Sequence, residues 1–344
     1  MSPSSSQPLP RRPSRSPGAG AANDWTSQPG VVGAFARYME RSFAADYLCL
    51  VSIAAGWFML QVFATPMYRM FRLDNPAIQF PFAQHERVTS WMNVVYAGLI
   101  PLIIIMTYCA ILRPEKHFSH VSVLGFITCV WLTSFVTDVL KNAIGRPRPD
   151  LISRCQPELG TPKDQWVTWE VCTVKNKHIL EEGWRSFPSG HSSLSWSGFG
   201  YLAFFLGSQT HAFGVRRTIA SLCLALSPFV GSIVIACSRM ADYRHDIYDV
   251  TAGSILGLCI AYLTFRHYFP SLSDAKCHMP HERSSRRSSD GSNGFRRVAE
   301  DDEEAFIDYA PGNGGNGAGP ATELSHEGAA ETPYPSYLLR TRAS

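Results

Sequence analysis

The sequence predicts an all-α, polytopic membrane protein with six transmembrane helices between two disordered tails. Charged residues make up 17% of the 344 residues, below the roughly 25% that is usual for soluble domains. Hydrophobic residues reach 45%, yet the mean hydropathy is close to zero. These values agree only if apolar residues are concentrated in some segments and polar residues in others, and the sequence shows that division.

Many of the polar residues lie at the two ends of the chain. Residues 1–30 are rich in Ser, Pro, Arg and Gly, and residues 271–344 are rich in Ser, Gly, Arg, Asp and Glu. Neither segment has enough periodic apolar residues to offset the entropy of ordering a core, so we expect both to be disordered. The membrane domain is therefore placed at residues 31–270. The net charge of +3 is modest and does not indicate a nucleic-acid partner.

Six apolar runs lie inside this domain. A helix needs about 20 apolar residues to cross a bilayer, and five of the runs reach that length with few or no charges. The fourth run is shorter and contains several Ser and Gly residues. Buried helices of a soluble protein are the alternative, but six such runs in so short a domain argue against it. The runs cover residues 47–65, 91–112, 119–140, 191–207, 218–237 and 247–266.

The distribution of Lys and Arg predicts which side of the membrane each connection faces. With the N-terminus in the cytosol, both basic tails and the second and fourth connections also lie there. The first connection (66–90), the third (141–190) and the fifth (238–246) then face the luminal or extracytosolic side. The compartment stays open among vacuole, Golgi, endoplasmic reticulum and plasma membrane. Basic residues occur on the extracytosolic side too, and these exceptions need a chemical reason.

Three polar clusters fall on that extracytosolic side, two at the ends of the third connection and one in and just after the fifth. In chain order they contain Lys141 and Arg148 after the third run, Ser189, Gly190 and His191 at the start of the fourth, and Arg239, His245 and Asp249 between the fifth and the sixth.

The cations of these clusters predict an anion site. Lys141, Arg148 and Arg239 would repel one another at a membrane surface unless an anion joins them. Arg presents a planar fork matched to two phosphate oxygens, and Lys adds a point charge. Ser189 and Gly190 precede a predicted helix, so we expect their backbone N–H groups to point at the anion as well. These five residues therefore predict a phosphate-binding site.

The histidines predict chemistry on that phosphate. His245 and Asp249 share one face if the sixth helix begins near His245. The carboxylate then accepts the proton of one imidazole nitrogen and leaves the other nitrogen free to attack phosphorus. His191 is expected to protonate the leaving oxygen and later to activate water. The cations would stabilise charge on the transferred phosphoryl group. Lipid-headgroup binding without chemistry is the alternative, but it needs neither histidine.

We expect no metal and no other cofactor. The carboxylates near the clusters are Asp150, Asp242, Asp246 and Asp249, and their spacing does not indicate a magnesium site. None of the nine cysteines forms the CxxC pair typical of zinc sites. Cys155 and Cys172 lie in the long third connection, where we expect a disulfide if that connection faces an oxidising lumen. Two free thiols are the alternative.

The pattern Lys-x6-Arg-Pro, Pro-Ser-Gly-His and Ser-Arg-x5-His-x3-Asp resembles the signature of the type 2 phosphatidic acid phosphatase (PAP2) superfamily. The likeness covers about residues 45–268 and includes all eight residues of the three clusters. It implies a helical core, a phosphohistidine intermediate at His245 and no metal requirement. Residues 80–88 and 150–155 are similar to fungal diacylglycerol pyrophosphate and phosphatidate phosphatases.

The resemblance implies a hydrolase of phospholipid metabolism that acts on phosphatidate, lysophosphatidate or diacylglycerol pyrophosphate among membrane lipids. A polyisoprenyl or sphingoid phosphate phosphatase, or a lipid phosphotransferase using the same histidine pair, are the alternatives. Vanadium-dependent haloperoxidases share such a pocket, but they are soluble proteins. Six predicted spans argue strongly against that class. The sequence indicates no oligomeric state.

Overall fold

The computed structural model describes residues 42–214 and 217–281, together with Gly30, Val31, Ala34, Phe35, Tyr38 and Met39. The predicted N-terminal tail up to residue 29 and residues 282–344 of the predicted C-terminal tail lie outside the described residues. Residues 271–281 pack against the helices: the Cys277 side chain is buried, and the His281 N–H donates to the Tyr268 carbonyl over 2.9 Å. The packed chain thus continues past residue 270, where the sequence placed the end of the domain.

Each of the six apolar runs forms a helix, and the all-α class is confirmed. Two short α-helices lie in the third connection, and the connections also contain two 3-10 turns (Pro76–Ile78 and Trp169–Val171) and two isolated β-bridges. In chain order the helices are α1 (Ala44–Phe63), α2 (Ser90–Leu112), α3 (Lys116–Ile144), α4 (Leu151–Cys155), α5 (Lys177–Glu182), α6 (Gly190–Gln209), α7 (Ile219–Ala241) and α8 (Ile247–Tyr268).

Five helices in the described ranges are long and apolar enough to cross a bilayer, namely α1, α2, α3, α7 and α8. They expose many large apolar side chains, such as Val51, Ile111 and Val230. Such broad apolar surfaces are accommodated by lipid rather than by water. The chain is therefore an integral membrane protein. The count of six spans stays a prediction, because α6 is less apolar than the other five.

The composition of α6 is explained by its surroundings. Twelve of its 20 residues are buried, and it packs against α2, α3, α7 and α8. The hydroxyls of Ser195 and Ser197 donate to carbonyls three residues earlier in the helix, at 3.1 and 2.9 Å. The Ser232 hydroxyl of α7 donates to the Ser195 carbonyl over 3.0 Å. A helix whose hydroxyls are satisfied in this way needs no lipid-facing apolar side.

Glycines let the neighbours of α6 come close to its backbone. A Cβ atom at Gly198 of α6 would lie 1.8 Å from the Ala97 carbonyl oxygen of α2. On the α8 side, a Cβ at Gly257 would lie 2.2 Å from the Ser193 carbonyl oxygen. At the contact with Gly198, α2 widens into π-helical geometry over Val94–Leu99, a feature often found near functional sites. These contacts fix the N-terminal half of α6 between α2 and α8.

The first and third connections pack together into a unit that we call the cap. Its core consists of Phe71, Ile78, Leu151, Cys155, Leu180 and Trp184. Phe71 and Val167 exchange two backbone hydrogen bonds of 3.1 and 2.9 Å, which join the two connections. Cys155 and Cys172 form the expected disulfide. The cap thereby holds α4 and α5 in fixed positions next to the ends of α3 and α6.

Replacement of Cys172 by Ser should destabilise the cap. Because the disulfide closes a loop of 17 residues, its loss should lower the free energy of unfolding by about 3 kcal/mol. Thermal unfolding of the detergent-solubilised protein measures the change. Cys223→Ser, which removes an exposed free thiol from α7, is the control. An unchanged melting temperature, or labelling of Cys155 and Cys172 by a maleimide without prior reduction, would contradict the prediction.

Candidate active site

A cavity of about 480 Å³ joins the three polar clusters at the cap end of the helices. Six of the eight predicted site residues line it: Lys141, Arg148, Gly190, His191, Arg239 and His245. The other two, Ser189 and Asp249, are buried and in contact with cluster residues. The connections that the sequence assigned to one side of the membrane therefore meet in one place.

His245 lies in the short connection between α7 and α8 and is 3% exposed. The helix itself begins at Ile247, with the Asp246 carboxylate accepting the Asp249 N–H over 3.0 Å as a cap. The Nδ1 atom of His245 lies 3.6 Å from an Asp249 carboxylate oxygen, slightly beyond hydrogen-bond length. No described residue makes a hydrogen bond with this Nδ1. The two residues are thus neighbours, as predicted, although His245 precedes the helix instead of beginning it.

Two residues that sequence reasoning missed hold the Asp249 carboxylate. Arg146 donates to it over 2.6 Å and also pairs with Asp246, and the Ser186 hydroxyl donates to its other oxygen. A buried carboxylate needs such partners, because an unpaired charge inside a protein is costly. Two signals were available in the sequence. The Arg-Pro-Arg-Pro run contains a second arginine, Arg146, and a second carboxylate, Asp246, stands three residues before Asp249.

The electrostatic surroundings keep His245 neutral. Burial lowers the pKa of His245 well below its ordinary value of 6.5, and the positive charges of Arg148 and Lys141 lower it further. A neutral imidazole near pH 7 retains the lone pair that a nucleophile requires.

His191 lies in the first turn of α6, on the cavity wall. Its Nε2 atom is buried, and within the described ranges it has no hydrogen-bond partner. Such an atom is available to a ligand in the cavity. The Asn93 side-chain amide of α2 lies 3.5 Å from the His191 carbonyl oxygen, which ties this turn to its neighbour.

Ser189 differs from expectation in the direction of its backbone N–H group. The Ser189 N–H donates to the Asp249 carbonyl over 2.9 Å, so it does not point at an anion as predicted. The Ser189 hydroxyl instead caps α6 by accepting from the Ser192 N–H. At Gly190 a Cβ would lie 3.4 Å from the Lys141 Nζ. The missing side chain therefore leaves room for the lysine ammonium beside the helix N-terminus.

Carboxylates share the arginines of the cavity, and sequence reasoning missed them. Glu182 of α5 accepts from Arg148 over 2.7 Å. Glu86 and Asp242 accept from Arg239 over 2.8 and 3.0 Å. Burial alone would raise the pKa of Glu182, but Arg148 and Lys141 lower it to about 2. These carboxylates are ionised partners that an incoming anion must join or displace.

The cavity is suited to an anion. Its lining holds five cationic side chains (Lys141, Arg148, Arg154, Arg239 and Arg244) and three carboxylates (Glu86, Asp138 and Glu182), which leaves an excess of positive charge. Among the described residues, no group of three or more His, Cys, Asp or Glu side chains is placed to hold a metal ion.

Comparison with known proteins gives a consistent result. Residues 122–272 match the PAP2 superfamily. The chain is 35% identical over 229 residues to "Probable diacylglycerol pyrophosphate phosphatase 1" of Schizosaccharomyces pombe, covering 66% of this chain and 82% of that protein. It is 39% identical over 213 residues to "Diacylglycerol pyrophosphate phosphatase 1" of Saccharomyces cerevisiae, covering 61% and 74%. "Lipid phosphate phosphatase 2" of Arabidopsis thaliana is 32% identical, with 69% and 80% covered.

Replacement of Arg148 by Gln should weaken anion binding. One charge-assisted hydrogen bond contributes about 1.5–3 kcal/mol, so the affinity for orthophosphate should fall at least about tenfold. Calorimetric titration of the detergent-solubilised protein measures it. Arg72→Gln is the matched control, because Arg72, like Arg148, pairs with a carboxylate but lies outside the cavity lining. Equal affinities of both variants and the unaltered protein would disprove the anion site.

Proposed function

Because the chain belongs to the PAP2 superfamily, we propose that it is a metal-independent lipid phosphate phosphatase, with His245 as its nucleophile. The observation that carries the proposal is a buried, neutral histidine beside Asp249 in a cavity lined by cationic side chains. A non-catalytic headgroup-binding site would have little use for His245 and His191 together.

The expected substrates are phosphatidate, lysophosphatidate and diacylglycerol pyrophosphate. The cavity is lined by Trp57 of α1, Val94 of α2 and Leu194 of α6 as well as by the polar clusters. A ligand there meets charged groups as well as side chains of the membrane helices, which suits a phosphate carried on a lipid. The names of the relatives point to the same substrate class.

In the proposed reaction, the Nε2 of His245 attacks the terminal phosphorus while Asp249 accepts the proton on Nδ1. The bond from phosphorus to the lipid oxygen breaks, and that oxygen takes a proton from His191. The charge of the bound phosphate favours a protonated His191 at this stage. Water then gives a proton to His191 and attacks the phosphohistidine, which releases inorganic phosphate and regenerates both histidines.

The cations of the clusters act on the transition state. Lys141, Arg148 and Arg239 surround the place where the phosphoryl oxygens must lie, and their charge is fixed before the substrate arrives. Preorganised charges of this kind need no rearrangement during the reaction. The α6 N-terminus at Gly190 adds its partial positive charge.

We propose that this site lies on the extracytosolic side of the membrane. The cap carries the Cys155–Cys172 disulfide, and disulfides persist mainly in oxidising compartments. The predicted orientation from the basic residues of the tails and of the second and fourth connections agrees with this placement.

The deciding experiment is an assay of the purified protein against a panel of lipid phosphates, with a chelator and without added metal. We expect release of inorganic phosphate from at least one lipid phosphate. No release from any of them would refute the proposal, as would a strict requirement for magnesium. Recovery of the phosphate on a lipid hydroxyl, instead of in solution, would identify a phosphotransferase.

Replacement of His245 by Asn should reduce kcat by roughly four orders of magnitude or more, as removal of a catalytic nucleophile does elsewhere. With a substrate labelled in its terminal phosphate, the His191→Asn variant should accumulate an acid-labile phosphohistidine, because hydrolysis of this intermediate needs His191 as a base. His267→Asn, at an exposed position of α8, serves as the control. Turnover by the His245 variant near the unaltered rate would exclude the mechanism.

Replacement of Arg146 by Gln tests whether the ion pair between Arg146 and Asp249 keeps the partner of His245 in position. Loss of the Arg146 contact leaves Asp249 less firmly placed, so kcat should fall about 10- to 100-fold, the usual cost of losing a positioning partner. The KM should change little, because Arg146 does not line the cavity. Arg146→Lys should restore part of kcat. A raised KM at constant kcat would instead assign Arg146 to substrate binding.

A further inference from the structure

The cavity extends beyond the three clusters to two arginines that the proposed reaction does not use. Arg154 of α4 is 3% exposed and Arg244 is 7% exposed, and both line the cavity. Their guanidinium carbons lie 4.7 and 4.5 Å from the centre of the Phe82 ring. Contact with one aromatic ring fixes both guanidinium groups in the cavity wall.

These arginines have donors without partners. The Nη2 of Arg154, the Nε of Arg244 and the Nε of Arg148 are buried and make no hydrogen bond within residues 42–214 and 217–281. Buried donors are nearly always paired, so three of them around one cavity point to a ligand with several acceptor oxygens.

The carboxylates next to Arg154 and Arg244 are shared with other arginines. Arg154 pairs with Asp150 over 2.8 Å, and Arg244 lies 3.6 Å from the other oxygen of the same Asp150. Glu86 serves Arg244 and Arg239, both over 2.8 Å. Asp150 and Glu86 are thus each shared between two arginines, and Asp242 is a further partner of Arg239. Burial also raises the pKa of Asp150 to about 6, despite the nearby positive charges of Arg148 and Arg244.

Arg148 connects this group with the nucleophile. It lines the same cavity as Arg244 and His245. Arg244 also directly precedes His245 in the chain. An anion held by Arg154 and Arg244 would therefore adjoin the phosphate that faces His245.

We propose that Arg154 and Arg244, together with the Nε of Arg148, form a second phosphate subsite that holds the inner phosphate of a lipid pyrophosphate. The outer phosphate then faces His245. The inference rests on the proposed function and specifies its substrate class: the site discriminates a lipid with two linked phosphates from a lipid with one.

The subsite also acts on the leaving group. When the Nε2 of His245 bonds to the outer phosphorus, the bond from that phosphorus to the bridging oxygen breaks. The electron pair stays on the bridging oxygen, and the lipid monophosphate leaves. Arg154 and Arg244 stabilise the charge that builds on this inner phosphate. Water then hydrolyses the phosphohistidine, which yields inorganic phosphate.

The test compares kcat/KM for diacylglycerol pyrophosphate and for phosphatidate in the full-length protein. Because each charge-assisted hydrogen bond contributes substantially, Arg244→Gln should lower the pyrophosphate value at least about tenfold. The phosphatidate value should change less than about threefold. Arg154→Lys keeps the charge and the Asp150 pair but loses the planar fork of the guanidinium group. It should also lower the pyrophosphate value more than the phosphatidate value. Arg72→Gln is again the control.

Equal losses on both substrates in both variants would overturn the subsite. A wild-type protein that releases phosphate from neither lipid would instead overturn the proposed function. Retained phosphatidate turnover shows that each variant is folded.

A measurement on the unaltered protein decides the matter if both variants fail to fold. Inorganic pyrophosphate should inhibit phosphatidate hydrolysis at a concentration at least about tenfold lower than inorganic phosphate does, since it fills both subsites. Equal inhibition by the two anions would overturn the proposal, because a single phosphate site gains nothing from the second phosphate.

Discussion

The arrangement of the site depends on the buried Asp249. Its carboxylate is held by Arg146 and by the Ser186 hydroxyl and faces the His245 ring, while its backbone carbonyl accepts the Ser189 N–H. These partners come from the third and the fifth connections. One acidic residue in the first turn of α8 therefore fixes the end of α3, the start of α6 and the nucleophile in relation to one another. Because an unpaired buried carboxylate would be costly, these partners have to stay in place around Asp249.

The cations of the cavity present a second constraint. Several buried arginines cannot remain unpaired while the cavity lacks an anion, because their mutual repulsion and desolvation would destabilise the fold. Glu86 and Glu182 relieve this by pairing with Arg239 and Arg148. The same carboxylates repel a phosphate, so part of the binding energy is used to displace them. The same ion pairs thus stabilise the fold when no ligand is bound and lower the affinity for a phosphate.

The sequence predicted the helices well because their signal is local. An apolar run of about twenty residues reports a membrane helix without reference to anything else, and each of the six runs lies on an observed helix. The motif residues were found because their spacing is also local. The ion pairs of Arg146 and Glu86 were missed because they join residues far apart in the chain. The N–H of Ser189 was misassigned for the same reason: its acceptor, the Asp249 carbonyl, belongs to another helix.

The polar character of α6 has a consequence for how the protein is assembled. Its serines and glycines make this helix a poor candidate to enter the bilayer through its own hydrophobicity. Much of the surface that covers them belongs to α7 and α8, which are synthesised later. Stable integration of α6 must therefore wait for the helices that follow it, and the first half of the chain alone cannot reach its final topology. We therefore expect biogenesis of the membrane domain to be cooperative at this helix, whereas each of the five more apolar helices carries its own insertion signal.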